Sequence, residues 1–292
     1  VATSNPLNYV DPDWDTIVQD LVNRVKNKDA WKDTYVSSTG QMLIELLAYI
    51  ANLNLYYLER QANEGFLGTA KLKSSVVNLV RLINYTPKRK ISATGTLQFS
   101  LQSVSDKRVY IPQYTECQTS AGLKFVTTQD ITIEPGQLSN TVTAIQGQLI
   151  ELEYTGDGTA DQEITINDTS IENDDHPELS PFTAFRVFVD EVEWTRVSSF
   201  INSNNTDTHY VLRAELDDTL TIIFGDDIYG KAPESGKPIL IKYIRSDGAD
   251  GNVYETDKIT TLNDTIYDED SNEVTVSVTN ITTMTGGEMP KI

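Results

Sequence analysis

The chain is poor in the residues that most often carry chemistry. It has 1 cysteine, 2 histidines and 3 tryptophans among 292 residues. A lone cysteine, Cys117, excludes an internal disulfide. The two histidines, His176 and His209, leave little general-base capacity near neutral pH. Gly-x-Ser-x-Gly elbows, His-Glu-x-x-His pairs and a cysteine beside a histidine are all lacking. A glycosidase-type carboxylate pair stays open on sequence grounds, although in so acidic a chain two carboxylates are more often solvated surface. Basic residues are also scarce, with 23 Lys and Arg against 43 Asp and Glu, a formal net charge of -20. Nucleic-acid binding needs a concentrated basic face to displace counterions, so no nucleic-acid partner is expected. An acidic surface suits solubility and basic protein partners instead.

Long apolar runs are missing too. The longest apolar region, Met42 to Leu58, is interrupted by Glu45, Asn52 and Asn54. A membrane helix wants about 20 mostly apolar residues, so no membrane span is expected. The opening Val1-Ala2-Thr3-Ser4-Asn5-Pro6 has no basic region followed by an apolar core. Synthesis in a reducing cytoplasm without a signal peptide is the expectation.

What the sequence does contain begins with helices. Trp14, Ile17, Val18, Leu21, Val22 and Val25 recur at amphipathic spacing, with Asp11 as N-cap and Pro12 in the first turn. Ser38-Thr39-Gly40-Gln41 reads as a capping box with reciprocal roles for Ser38 and Gln41. The helix behind it runs to about Glu64, roughly 37 Å at 1.5 Å per residue. Leu43, Leu46, Leu47, Ile50, Leu53 and Tyr57 line one face, and Ile44, Ala48, Ala51 and Leu55 lie on others. A helix apolar almost all round is expected at the centre of a bundle. Thr69 is expected to cap a third helix carrying Leu72, Val76, Leu79, Val80 and Ile83, which ends at Asn84-Tyr85-Thr86-Pro87. Lys88-Arg89-Lys90, with Arg81, is the one basic concentration. It suits either a helix C-terminus or an acidic neighbouring subunit.

From Ala93 the spacing becomes that of short strands. They are expected at 95–101, 109–111, 116–119, 124–127, 131–133, 141–151, 162–166, 186–189, 193–197, 210–215, 219–224, 238–245 and 274–280. Gly156-Asp157-Gly158 marks a boundary between two β domains.

Three polar segments invite a ligand reading. Gly225-Asp226-Asp227-Ile228-Tyr229-Gly230-Lys231 has the G-x-x-x-x-G-K spacing of a phosphate loop. It continues into Ala232 and Pro233, with no Ser or Thr for magnesium and no helix, and its two aspartates would oppose a triphosphate. Strand-turn-strand is preferred, with Gly225 and Gly230 letting the flanking strands meet. Glu172 to Glu178 groups carboxylates around His176 without a second histidine nearby, and reads as a solvated loop. Asp247 to Asn252 lacks the alternating oxygens of a calcium loop, and Lys258 falls where glutamate is required. No residue is assigned to catalysis, to a cofactor or to a metal.

One long match remains. LLAY at Leu46 to Tyr49, NEGFLGTA at Asn63 to Ala70, SSVVNL at Ser74 to Leu79 and NYTPKR at Asn84 to Arg89 lie within Trp31 to Gly95. Together they closely resemble the N-terminal region of baseplate wedge proteins of contractile-tailed bacteriophages, long relatives of the baseplate J-like family. Ile222 to Asn252 is similar to that family's FGD-x-x-x-GK and glycine-asparagine turns. Asn84 departs from the family's usual Gly, and the family continues beyond the Thr285-Gly286-Gly287 segment near which this chain ends. The resemblance implies a non-enzymatic structural subunit of the virion tail baseplate. Such a subunit forms a ring around the central hub and tube, contacts copies of itself, other wedge subunits and sheath-proximal proteins, and takes part in contraction.

The expected fold is α+β and elongated, a helical bundle followed by two mainly antiparallel β domains. Residues 1–92 form the helical domain, 93–157 and 158–283 the β domains, and 284–292 the start of a shortened or extended C-terminal segment. The competing function is a glycan-binding tail adhesin using aromatics such as Tyr110, Tyr114 and Trp194.

Overall fold

In a computed structural model, residues 13–28, 35, 38–83, 85, 89–172, 176, 179–215 and 219–290 are described. The chain separates into two units, Val1–Tyr85 and Thr86–Ile292.

The first unit carries helices α1 (Trp14–Lys26), α2 (Thr39–Glu64) and α3 (Lys73–Arg81). The cap of α1 is Asp13, whose carboxylate accepts hydrogen bonds from the Thr16 amide at 2.9 Å and the Thr16 hydroxyl at 2.7 Å. The expected cap Asp11 and first-turn Pro12 lie outside the described residues. Asp15 in the first turn and Arg24 and Lys26 in the last follow the helix dipole. At α2 half of the capping box forms: the Ser38 hydroxyl accepts from the Gln41 amide at 3.1 Å. The Gln41 side chain turns the other way and donates to Glu45 at 3.1 Å.

Thr69 does not cap α3, because that helix starts four residues later. Its hydroxyl donates back to the Asn63 carbonyl at 2.7 Å. The free amides before α3 are met instead by Glu64, the last residue of α2, whose carboxylate accepts from Lys71 and Leu72 at 3.1 Å each. The Ser75 hydroxyl and those amides hold the Glu64 carboxyl below its ordinary pKa. Asn84, Thr86, Pro87 and Lys88 lie outside the described residues.

Only Gly40, Ile44, Ala48, Asn63 and Glu64 of α2 are buried. The expectation that α2 forms the centre of a bundle is thus corrected. Leu43, Leu46, Leu47, Ile50, Leu53 and Tyr57 are exposed. Among the described residues, α1 and α3 supply too little surface to cover a helix that is apolar on several faces.

The second unit is built from strands. A six-stranded sheet is ordered β14 (Ile259–Leu262), β3 (Glu116–Thr119), β4 (Lys124–Thr127), β6 (Ser139–Gln146), β1 (Thr94–Leu101), β17 (Val276–Asn280). A four-stranded sheet is ordered β16 (Glu273–Val274), β15 (Ile266–Asp268), β2 (Val109–Ile111), β5 (Ile131–Ile133). A seven-stranded sheet runs β7 (Gln148–Thr155), β13 (Pro238–Arg245), β9 (Phe185–Val189), β10 (Val192–Arg196), β11 (His209–Ala214), β12 (Leu220–Phe224), β8 (Glu163–Ile166). Pairing is antiparallel except between β10 and β11. The fold is therefore α+β with mainly antiparallel sheets.

Two cores result. Leu97, Phe99, Ile111, Phe125 and Ile133 anchor the first, and Val187, Tyr210, Ile222, Phe224 and Ile241 the second. A smaller cluster of Val126, Ile145, Phe182 and Ile244 joins residues from the six- and seven-stranded sheets.

The expected single strand 141–151 is two strands. Gly147 separates β6 from β7, and its φ of 137° lies where a side chain is strained. A Cβ there would sit 2.4 Å from Ile244 Cγ2 and 2.7 Å from the Arg245 carbonyl oxygen. The chain changes sheets at the one residue that lets it pass so close to β13. Strands β14 to β17 return to the sheets begun by β1 to β6, so strand pairing does not divide the unit at 157/158. Met284, Thr285 and Glu288 bridge back to Val253, Thr94 and Ile91, stitching the expected tail segment onto the β unit.

Candidate interaction surfaces

The glycine-lysine loop is closed on itself. A Cβ on Gly225 would lie 2.2 Å from the Gly230 carbonyl, and Gly230 has a φ of 86°. Both positions therefore require glycine. The strands flanking the loop are in one sheet, but β9, β10 and β11 separate β12 from β13. The expectation that these glycines bring the flanking strands together is corrected. They bring two points of the loop together.

The loop's amides are spoken for. Asp226 accepts from the amides of Ile228 at 2.9 Å and Tyr229 at 2.6 Å, and these bonds hold its carboxyl below the ordinary carboxylate pKa. Asp227 accepts from the Ala232 amide at 2.8 Å. The Gly230 and Lys231 amides donate to the carbonyls of Asn204 at 3.1 Å and Asp207 at 2.9 Å. Lys231 Nζ lies 3.0 Å from a Glu234 carboxylate oxygen. The loop's own carboxylates sit where a phosphate would have to be received, and no helix follows.

The basic run after α3 has a different use from the one expected. Arg89 is buried and donates from Nη2 to the Asp168 carbonyl at 2.9 Å. Lys90 reaches the Ser170 hydroxyl at 3.0 Å. These two cations fasten the start of the β unit to the 168–170 turn, in place of the helix end or neighbouring subunit expected. Asp168 also accepts from the Tyr243 hydroxyl at 2.9 Å and pairs with Arg245 at 3.1 Å. Burial, reinforced by that hydrogen bond, pushes the Tyr243 hydroxyl well above its usual pKa.

Glu172 and His176 belong to the same interior. Glu172 is fully buried, accepts from the Ser92 amide, and lies 3.7 Å from His176 Nε2. The expected solvated loop is thus corrected at its two described residues, whose side chains are structural. Asn173 to Asp175, Pro177 and Glu178 lie outside the described residues. Little in the sequence distinguished this glutamate from its many exposed counterparts. Among the described residues no group of three or more His, Cys, Asp or Glu is placed to hold a metal ion.

The 247–252 segment is a short 3-10 turn over Gly248–Gly251, in keeping with a glycine-supported turn. Asn252 exchanges two hydrogen bonds of 3.0 Å with Gly287, donating to its carbonyl and accepting from its amide. The glycine-asparagine turn and the Thr-Gly-Gly segment, separate in sequence, are thus one structural joint. Cys117 is buried, and burial pushes its thiol pKa up.

The adhesin reading loses most of its aromatic platform. Trp194 is buried edge-on against Phe224, with ring centroids 5.3 Å apart. Tyr114 packs against Phe182 at 5.8 Å, which leaves Tyr110 as the exposed member of the three. Among the described residues no helix is long and apolar enough to cross a membrane.

Comparison with known proteins falls on the helical unit first. The family model described as "Bacteriophage baseplate protein, N-terminal domain" matches residues 13–82, the span of α1 to α3. "Baseplate wedge protein gp6" of Enterobacteria phage T4 is 24% identical over 283 residues, covering 86% of this chain and 41% of that protein. The chain thus spans about two fifths of the length of that curated relative. A chain in the cryo-EM structure of the anti-feeding prophage baseplate aligns with 94% of this chain and 48% of its own length, at 11% identity and a TM-score of 0.31. Residues 13–82 are thus similar to the N-terminal domain of bacteriophage baseplate proteins, and the chain as a whole is similar in sequence to a baseplate wedge protein.

Proposed function

We propose that the chain is a structural, non-enzymatic subunit of a tail baseplate wedge, and that its helical unit is an assembly element. The observation that carries this reading is the coincidence of the family match at residues 13–82 with the helices that leave their leucines in water. Fully burying a Leu, Ile or aromatic side chain is worth about 1.5–3 kcal/mol. Six residues of α2 stand roughly half exposed, so covering them contributes about 4–9 kcal/mol before association entropy. That is a large reserve for a protein to carry unless a partner covers it.

The proposed partners are copies of the same chain, other wedge subunits, and hub, tube and sheath-proximal proteins, in a ring around the tail axis. The proposed location is the virion tail baseplate, reached after synthesis in the host cytoplasm. Closed rings form through isologous or heterologous contacts, and helices with exposed apolar stripes serve either. Negative-stain images of tails carrying a gold-labelled version of this protein should place label in a ring around the tube at the tail end. Label on the sheath or capsid alone would overturn the proposal.

A further inference from the structure

The tip of the seven-stranded sheet carries a second apolar surface of a different kind. Ile201 is 79% exposed, Ile228 66% and Tyr229 55%. They sit on two neighbouring segments. The Phe200 ring lies 3.0 Å from where a Cβ on Gly230 would be, and the Gly230 amide donates to Asn204. Large aliphatic side chains at this exposure are unlike Ile222 of the adjacent β12, which is fully buried.

The segments are held rigidly. The 226–231 turn is fixed by the Asp226 and Asp227 carboxylates and by backbone bonds to Asn204 and Asp207. Asn204 is itself fixed by the Asp207 carboxylate, which accepts from its amide at 2.8 Å. A preorganised surface loses little conformational freedom on binding.

The rim is acidic. Asp226 and Asp227 are in the turn, Asp207 anchors it, and Asp161 donates its amide to the Gly225 carbonyl at 3.1 Å. The lysine of the turn, Lys231, is held by Glu234. Hydrogen bonding from Tyr229 and Ile228 keeps Asp226 ionised well below neutrality. A second copy of this acidic chain meets repulsion here, whereas a cationic segment meets attraction.

We propose that this tip is a docking surface for a polypeptide segment that presents apolar side chains flanked by lysine or arginine. Ile201, Ile228 and Tyr229 form its apolar floor and Asp161, Asp207, Asp226 and Asp227 its rim. The inference does not rest on the baseplate assignment, because the chemistry of the tip alone defines the partner.

Selection of a random displayed library of about 12-residue peptides on the whole immobilised chain tests it. The expected result is an enriched consensus with apolar positions beside Lys or Arg. Binding of the chosen peptide, made synthetically, should weaken about tenfold or more in both Ile201→Ser and Ile228→Ser. Asp161→Asn removes a rim charge from an exposed residue at positive φ, where asparagine is tolerated. It should weaken binding at about 50 mM salt and much less at about 500 mM, where screening is short-ranged. Enrichment of no sequence, binding of the selected peptides untouched by both serine variants, or a consensus without basic residues among peptides that those variants weaken would each overturn the proposal. The serine changes are at exposed positions, and unchanged denaturation curves confirm that the tip itself is being read.

Discussion

Leu47→Asp separates folding from assembly, because Leu47 and its neighbour Ala48 stand at opposite extremes of exposure. Leu47 is 57% exposed and Ala48 0% exposed on the same turn of α2. In the isolated chain the Leu47 change forfeits up to about 0.7 kcal/mol of helix propensity. It also forfeits less than half of the roughly 1.5–3 kcal/mol transfer value of a leucine. The sum is about 1–2 kcal/mol. Ala48→Asp instead buries an ionised carboxylate with no apolar alternative, which costs several kcal/mol and should melt the helical unit.

In the assembled state the effect of Leu47→Asp is larger. Leu47→Asp then removes about 1 kcal/mol of interface burial and adds the desolvation of a charge, together about 3 kcal/mol or more. That weakens association by roughly 100-fold or more, since each 1.4 kcal/mol is tenfold. Urea denaturation followed by circular dichroism reads the first quantity. Co-expression with the neighbouring tail proteins, followed by counting assembled baseplates, reads the second. Normal baseplate numbers with Leu47→Asp would refute the reasoning, as would unfolding as extensive as that of Ala48→Asp.

Other outcomes follow from local geometry. Gly147→Ala strains a residue at φ 137° and drives a methyl group against Ile244 and Arg245, so its urea midpoint should fall by the equivalent of about 2 kcal/mol or more; an unchanged midpoint would contradict the sheet-switching role. Lys231→Ala breaks one exposed ion pair and should change stability by less than about 1 kcal/mol, and excess magnesium ATP should leave the melting temperature unchanged. A nucleotide site at 100 times its dissociation constant would add about 2.7 kcal/mol, which a thermal melt would reveal. Asp226 is held below its unfolded pKa of about 3.9, so its contribution is fully present above that pH and lost as pH falls through the lower folded value. The amide resonances of Ile228 and Tyr229 should therefore titrate with a midpoint below about 3.9, and a midpoint at or above it would contradict the hydrogen bonds. Glu172→Leu removes the buried acceptor of the Ser92 amide and should cost about 3 kcal/mol in chemical denaturation.

Much of the strand pattern was legible because alternation is written locally. The expected runs at 109–111, 116–119, 124–127, 131–133 and 238–245 coincide with β2, β3, β4, β5 and β13. Strands β14 and β15 lack a clear alternation, because Ile259-Thr260-Thr261-Leu262 and Ile266-Tyr267-Asp268 each fully bury one isoleucine, with Leu262 only partly buried and the rest polar or exposed. Their pairing with β3 and β2, more than 130 residues earlier in the chain, has no local signal. The same is true of Glu172 and Arg89, whose burial comes from partners distant in sequence. A charged residue looks the same in sequence whether it faces water or closes an interior network.

The misreading of α2 has a different cause. Its apolar residues on several faces predicted a helix at the centre of a bundle, and its register, length and Ser38 cap are as expected. Yet among the described residues only a narrow stripe around Ile44 and Ala48 is covered. Hydrophobic pattern records the environment in which a side chain finally rests, and an assembly surface rests against another protein. The difference between what the pattern of α2 demands and what its own unit covers therefore measures the interface proposed for it. On the proposed assembly role, Leu43, Leu46, Leu47, Ile50, Leu53 and Tyr57 would be core residues of a larger object, and the tip at Ile201, Ile228 and Tyr229 would not. Helical spacing and several apolar faces fit the proposed role of the first as a lasting packing surface. Three apolar side chains within an acidic rim mark the second as a smaller, charge-guided contact that forms more weakly and depends on salt.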